Sequence, residues 1–349
     1  MDELVRRLSR GERLTEGEFA ALVGGRSPAL AEELAGLANR ARQRWFGDQI
    51  YVRGLIEFTN HCRNDCLYCG IRRSNGKACR YRLTPEEILD CCRRGYALGF
   101  RTFVLQGGED GWWTDERLCA LVSALRAAHP DCAITLSVGE RPPESCRRLR
   151  EAGADRYLLR HETADPDHYR LLHPPELSWQ HRMDCLRTLK EQGWQVGCGF
   201  MVGSPGQGTA QLARELAFLQ DFRPHMVGIG PFIPHRDTPF AQKPAGTLEL
   251  TLFLLSVIRL LLPGVLLPAT TALGTIHPQG RELGILAGAN VVMPNLSPEQ
   301  VRENYALYDN KLCTGDEAAE HLAGLRKRLA AVGCQVAVHR GDSPLHPQN

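Results

Sequence analysis

Three cysteines fall within eight positions in "FTNHCRNDCLYCGIRRSN", residues 58–75, spaced C-x3-C-x2-C at Cys62, Cys66 and Cys69. Thiolates this close in sequence can serve one metal centre. A structural zinc site wants four ligands. His61 adjoins Cys62 too closely to share one ion easily, and Cys79, ten residues beyond Cys69, is the other source of a fourth. Four thiolates would close the site and suggest an electron carrier. An iron–sulfur cube held by three cysteines leaves one iron open to an outside ligand. The amino and carboxylate groups of S-adenosylmethionine suit that open iron, and an electron from the cluster then cleaves the sulfonium to a 5′-deoxyadenosyl radical. Tyr68, the aromatic residue before the last cysteine, favours this third alternative.

Other polar and unusual residues cluster at the ends of apolar runs: "QGGED" (106–110), "SVGE" (137–140), "RHET" (160–163), "MVGSPGQ" (201–207), "GPFIPH" (230–235), "ATTALG" (269–274) and "MPN" (293–295). The elements that must position them alternate regularly. β-rich runs occupy 51–58, 101–106, 132–138, 155–160, 195–202, 225–230, 264–270 and 290–294. Helical patterns such as "TPEEILDCCRRGYALG" and "WQHRMDCLRTLKEQG" lie between them. Thr84-Pro85-Glu86-Glu87 reads as a helix start, and Gly99, Gly153 and Gly193 stand where helices should end.

Eight strands linked by helix-sized segments predict an α/β chain closed as a TIM-type (βα)8 barrel, with an open doubly wound sheet as the alternative. The expected division is an N-terminal helical extension at 1–49, the barrel at 50–300, and a C-terminal helical segment and tail at 301–349. The Pro- and His-rich tail after about residue 335 is expected to fray. Active sites of such barrels gather at the C-terminal strand ends. The quoted segments therefore converge on one expected pocket.

Composition narrows the setting. Of 349 residues, 43% are apolar and 23% charged, and 42 Lys plus Arg against 40 acids leave a net charge of +2. That balance makes no electrostatic case for nucleic acid or an anionic membrane as partner. No run of about 18 uninterrupted apolar residues appears. The most apolar segment, "LTLFLLSVIRLLLPGVLL", carries Arg259 and breaks at Pro263, as a buried helix running into a strand would. The amphipathic N-terminus has no apolar core of signal-peptide type, so the 13 cysteines are not expected to form disulfides, and the cytoplasm is the expected compartment.

The cysteine motif, barrel length and strand-end residues resemble radical S-adenosylmethionine enzymes of the biotin-synthase-like branch, and within it the HydE family of FeFe-hydrogenase maturases. The resemblance runs from "GDQIYVRGLIEFTNHCRNDCLYCGIRRSN" through "RYRLTPEEI", "VLQGGED", "GADRYLLRHETA", "MVGSPGQ", "MVGIGPFIPHRDTP" and "PATTALGTI" to "NVVMPN". It implies that Cys62, Cys66 and Cys69 ligate one 4Fe–4S cluster. It also implies a shell for S-adenosylmethionine of Tyr68, Gly107, Gly108, Glu109, Ser137, Glu140, Glu162 and Arg182. Glu109 suits the ammonium and Arg182 the carboxylate of that cofactor.

Arg160, Thr270, Thr271, Met293 and Tyr305, with Tyr308 beside them, would form the substrate end. The implied substrate is a small organometallic, cysteine-derived iron species bearing carbon monoxide and cyanide. The maturases HydG and HydF and an external electron donor are the implied partners. Some relatives carry a second cluster on C-x7-C-x2-C near the C-terminus. The matching positions here are Cys313, His321 and Gly324, so no second cluster is expected. The alternatives are a methylornithine-synthase-like mutase, biotin-synthase-like sulfur insertion drawing on Cys132 and Cys198, and a non-enzymatic iron–sulfur carrier.

Overall fold

Parallel pairings close a ring in the computed structural model, which describes residues 1–313 and 319–346. The first barrel strand runs through Gln49–Val52 and Gly54–Thr59. Thr102–Gly107, Ala133–Ser137, Arg156–Leu158, Gln195–Cys198 and Met226–Val227 follow, each parallel to its predecessor. The expected seventh strand, 264–270, is held by isolated bridges alone, Leu266 to Met226 and Pro268 to Val291. Pro268 has no amide to donate, which thins the ladder there. Val291–Val292 pairs with Tyr51 and Val52, and Asn295 bridges Leu55, so the eighth strand returns to the first. Closure leaves the ring without an edge and excludes the open sheet.

The expected fifth and sixth runs are each interrupted. A Cβ on Gly199 would lie 2.0 Å from the Gly228 carbonyl oxygen, so the two backbones touch there. The ladder resumes beyond them as Met201–Val202 beside Gly230–Pro231. Helix signals hold where they are local. Thr84 caps Pro85–Ala97 by accepting from the Glu87 amide, and the Glu87 side chain accepts from the Thr84 amide. Gly99, Gly153 and Gly193 take φ of +98°, +115° and +76°, the left-handed region that ends a helix cheaply only with glycine.

The extension forms helices Asp2–Ser9, Glu16–Gly24 and Pro28–Phe46, and the last of these packs on the barrel helix Leu248–Leu261. One hydrophobic core spans extension and barrel. Arg259, fully buried in that apolar helix, donates to the carbonyls of Gly288, Pro263 and Val265 and to Asn290 Oδ1. Burial lowers its pKa to about 9. Among the described residues no helix is long and apolar enough to cross a membrane.

The described part of the tail, residues 335–346, packs on the barrel instead of fraying. Gln335–Ala337 adds a parallel strand beside Gln49–Tyr51. Beyond it, Asp342 Oδ1 lies 2.7 Å from Arg156 Nη2, and Arg340 Nη2 lies 2.8 Å from Asp155. Arg156 begins the fourth strand with no exposed surface, and a buried guanidinium requires a counter-charge. The tail supplies it and closes the N-terminal end of the barrel.

Candidate active site

The cysteine loop leaves the first strand at Thr59 and is pinned by its own polar groups. Arg80 donates to the carbonyls of Asn60, Ile71, Arg72 and Asn75. Asn60 donates to the carbonyls of Cys79 and Asn304 and accepts from the Tyr81 amide. On this frame Cys62, Cys66 and Cys69 line a cavity of about 350 Å³ at the C-terminal end of the strands. They are not gathered on one point: among the described residues, no three or more His, Cys, Asp or Glu side chains are placed to ligate a single ion. Each thiol keeps some surface, yet burial pushes Cys66 up to about 12 and raises Cys69 and Cys62 as well. Loading a metal centre would therefore displace protons. Cys79 is exposed and stands outside the cavity wall.

The glycine turn that ends the second strand fits against this loop. A Cβ on Gly108 would lie 2.2 Å from the His61 carbonyl oxygen and 2.8 Å from Cys62 Cβ. Only glycine allows that approach. Glu109 accepts from Arg63 Nε and from the Glu140 amide, both at 3.0 Å. Arg182, in helix Trp179–Glu191, donates to Glu140 Oε1 at 2.5 Å and to the Arg160 carbonyl at 2.7 Å. Burial opposes its charge, but Tyr169, Glu140 and Glu109 outweigh it and hold its pKa above the ordinary value. Tyr68 is fixed by His173. The His173 Nδ1 faces the Tyr169 carbonyl at 3.0 Å, so Nε2 is left to accept from the Tyr68 hydroxyl at 3.2 Å. Burial drives His173 down to about 3 and keeps it neutral.

The structure brings nearly every expected site residue to one cavity. Tyr68, Gly107, Gly108, Glu109, Ser137, Glu162 and Arg182 line it with the cysteines, as do Arg160, Thr270, Thr271, Met293, Tyr305 and Tyr308. Glu140 does not; its carboxylate holds Arg182 from behind the wall. Of the second-cluster positions, Cys313 is partly buried and His321 precedes helix Leu322–Ala331, while residues 314–318 between them lie outside the described residues.

Residues that the motifs did not single out matter as much. Arg53 interrupts the first strand and is 5% exposed; its Nη1 meets Met226 Sδ at 3.1 Å, while Nε and Nη2 have no hydrogen-bond partner. Burial pulls its pKa well below the ordinary value. Thr135 Oγ1, Thr270 Oγ1, Arg160 Nε and Nη2, and Glu162 Oε2 are likewise buried without a partner. Arg160 and Glu162 stand 3.3 Å apart as an ion pair without hydrogen-bond geometry. Glu57 and Lys311, 2.7 Å apart, form a buried ion pair that also lines the cavity. A charged residue inside the apolar run "YVRGLIEF" was the one sequence signal for Arg53. Unsatisfied buried groups of this kind call for a ligand, a water or an ion to complete them.

These residues fit the cofactors that three cysteines suggested: thiols at one end, a glycine turn and paired charges beside them, open donors beyond. The model of the Radical SAM superfamily matches residues 56–219. The FeFe-hydrogenase maturase subunit HydE of Thermotoga maritima is 45% identical over 302 residues, 86% of each chain. The 3-methylornithine synthase of Methanosarcina barkeri is 30% identical over 338 residues, 96% of this chain and 94% of that one. Among solved structures, methylornithine synthase PylB superposes with a TM-score of 0.85 at 29% identity, covering 96% of this chain and 97% of the other. The maturase HydG from Carboxydothermus hydrogenoformans reaches 0.80 at 20% identity over 97% and 79%, a likeness of fold alone. The chain belongs to the radical S-adenosylmethionine superfamily, which works with a 4Fe–4S cluster and S-adenosylmethionine, and within it to the HydE family of FeFe-hydrogenase maturases.

Proposed function

We propose that this enzyme acts on a compact, anionic, cysteine-derived iron species bearing carbon monoxide and cyanide, on the way to the active site of an FeFe hydrogenase. The observation that carries this reading is the set of buried donors without a hydrogen-bond partner, on Arg53, Thr135 and Thr270, together with Arg160 ion-paired to Glu162, in the cavity that also holds the three thiols. Cationic and hydroxyl donors in a water-poor cavity favour a small anion over a neutral or cationic substrate. Cys62, Cys66 and Cys69 would hold the cluster. Glu162, Arg182, Ser137, Tyr68 and the Gly107–Gly108 turn would seat S-adenosylmethionine.

When bound and reduced, these groups supply the 5′-deoxyadenosyl radical. The chain's own task is to orient the substrate sulfur through Arg160, Thr270 and Thr271 and to exclude water with Met293, Tyr305 and Tyr308. HydG as supplier, HydF as acceptor, an external electron donor and a cytoplasmic setting complete the reading. The methylornithine synthases share this frame, and the higher identity to HydE, 45% against 30%, favours the maturase. The test is anaerobic activation of an apo-hydrogenase by the reconstituted enzyme with HydG and HydF. Thr270→Val should keep substrate-free cleavage of S-adenosylmethionine and lose activation. Full activation without this enzyme, or by Thr270→Val, refutes the proposal.

A further inference from the structure

Arg160 and Glu162 both line the cavity, and between them His161 turns away into the protein with no exposed surface. His161 Nδ1 accepts the Gly199 N–H at 3.2 Å. The ring proton therefore sits on Nε2, which donates to Glu215 Oε2 at 2.7 Å. The other carboxylate oxygen of Glu215 accepts the Ala164 N–H at 2.7 Å. Glu215 is 0% exposed, lies on helix Thr209–Phe222 and does not line the cavity. Its partner within ion-pair distance, among the described residues, is His161. A carboxylate so buried is costly unless it is hydrogen-bonded, and both of its oxygens are bonded to the segment 161–164.

What they hold is a strained turn. Glu162 has φ of +64°, which a residue with a side chain keeps only where its surroundings impose it. The Glu162 N–H donates to the Gly199 carbonyl at 3.0 Å, so Gly199 grips residues 161 and 162 through both of its backbone polar groups. The Arg160 carbonyl is gripped from the other side by Arg182. We propose that Glu215 is a positioning residue: through His161 it fixes the turn 160–162 in the shape that presents Arg160 to the substrate and Glu162 to S-adenosylmethionine. The proposal rests on the roles given to Arg160 and Glu162 above.

The test is the dissociation constant of S-adenosylmethionine, measured by equilibrium dialysis on anaerobically reconstituted protein, with thermal unfolding as the control for folding. Glu215→Gln is nearly isosteric. Its amide must nevertheless face either the His161 Nε2–H or the Ala164 N–H donor to donor. Glu215→Gln is expected to weaken binding roughly ten- to a hundredfold, the effect of one orphaned buried donor. Glu162→Gln should weaken it similarly, and the double variant should lose little more than the worse single one. His161→Gln keeps a donor for Glu215 but replaces the rigid ring with a flexible amide, whose oxygen no longer holds the Gly199 N–H in the ring's fixed geometry. It should weaken binding too, and replaces Glu215→Gln if that variant does not fold. A folded Glu215→Gln protein with wild-type affinity overturns the proposal, as does full additivity with Glu162→Gln. If Glu162→Gln alone binds normally, the role of Glu162 fails instead, and a weakened Glu215→Gln then shows that Glu215 acts by another route.

Discussion

Arg182→Ala asks how firmly the two ends of the cavity are joined. The guanidinium is 7% exposed and serves Glu140 Oε1 at 2.5 Å, the Arg160 carbonyl at 2.7 Å and, more distantly, Glu109 Oε1 at 4.0 Å. Glu109 keeps Arg63, but Glu140, with a side chain 9% exposed, keeps, among the described residues, only His181 at 3.5 Å. Breaking a buried pair costs about 3–5 kcal/mol, and an orphaned buried carbonyl about 1–3 kcal/mol. Part of this appears as lost stability. If about 3 kcal/mol appears in cofactor binding, affinity falls roughly a hundredfold, since 1.4 kcal/mol is tenfold. The Arg160 carbonyl loses its anchor as well, so hydrogenase maturation should fall further than substrate-free cleavage. Arg182→Lys keeps the charge but not the planar fork that reaches both acceptors, and should recover only part. Equilibrium dialysis of S-adenosylmethionine and anaerobic formation of 5′-deoxyadenosine with dithionite measure the two effects. A folded Arg182→Ala protein with wild-type iron content and affinity within about threefold of wild type would refute the reasoning.

Alanine at Cys62, Cys66 or Cys69 should remove iron and abolish cleavage, whereas Cys79→Ala, at an exposed position outside the cavity, should change neither; iron loss in the Cys79 variant would sink the three-cysteine site. Gly108→Ala drives a methyl to 2.2 Å from the His61 carbonyl oxygen. The loop must yield at a cost of about 1–3 kcal/mol, and both cluster retention and cleavage should drop severalfold or more. Wild-type iron content in that variant would count against the packing. Burial works to raise the Asp342 carboxyl, but Arg156 and Arg340 outweigh it and hold its pKa well below the carboxylate range. Its stabilisation is thus complete above the unfolded pKa near 4 and is lost as pH falls towards the lower native value. Asp342→Asn should cost about 1–3 kcal/mol in urea unfolding at pH 7, with the gap to wild type closing as pH falls from 4 towards 2; a gap independent of pH would contradict this.

Where a feature depends on residues close in sequence, the chain declared it beforehand. The spacing of Cys62, Cys66 and Cys69 needs only one loop to bring the three thiols to one cavity. The Thr84–Glu87 capping box and the helix-ending Gly99, Gly153 and Gly193 are set by backbone preferences within a turn. The eight apolar runs predicted the barrel because most of the barrel-strand residues are buried on both faces, as Gly54–Thr59 is throughout. The extent of each run was less legible. The seventh is reduced to bridges at Leu266 and Pro268, and the fifth and sixth break where Gly199 meets Gly228.

Only the closed barrel decided which distant groups face one another. Arg53 reads as an accident in an apolar strand until closure places it on the wall of the cavity that Thr135 and Arg160 also line. Glu140, expected to face the cofactor, turns out to support Arg182. His161 and Glu215 lie 54 positions apart, and Arg156 and Asp342 lie 186 apart. Neither pairing leaves a local pattern. The reason is physical: a backbone conformation is chosen by neighbours along the chain, but the need of a buried charge for a partner exists only once folding has removed the water that satisfied it.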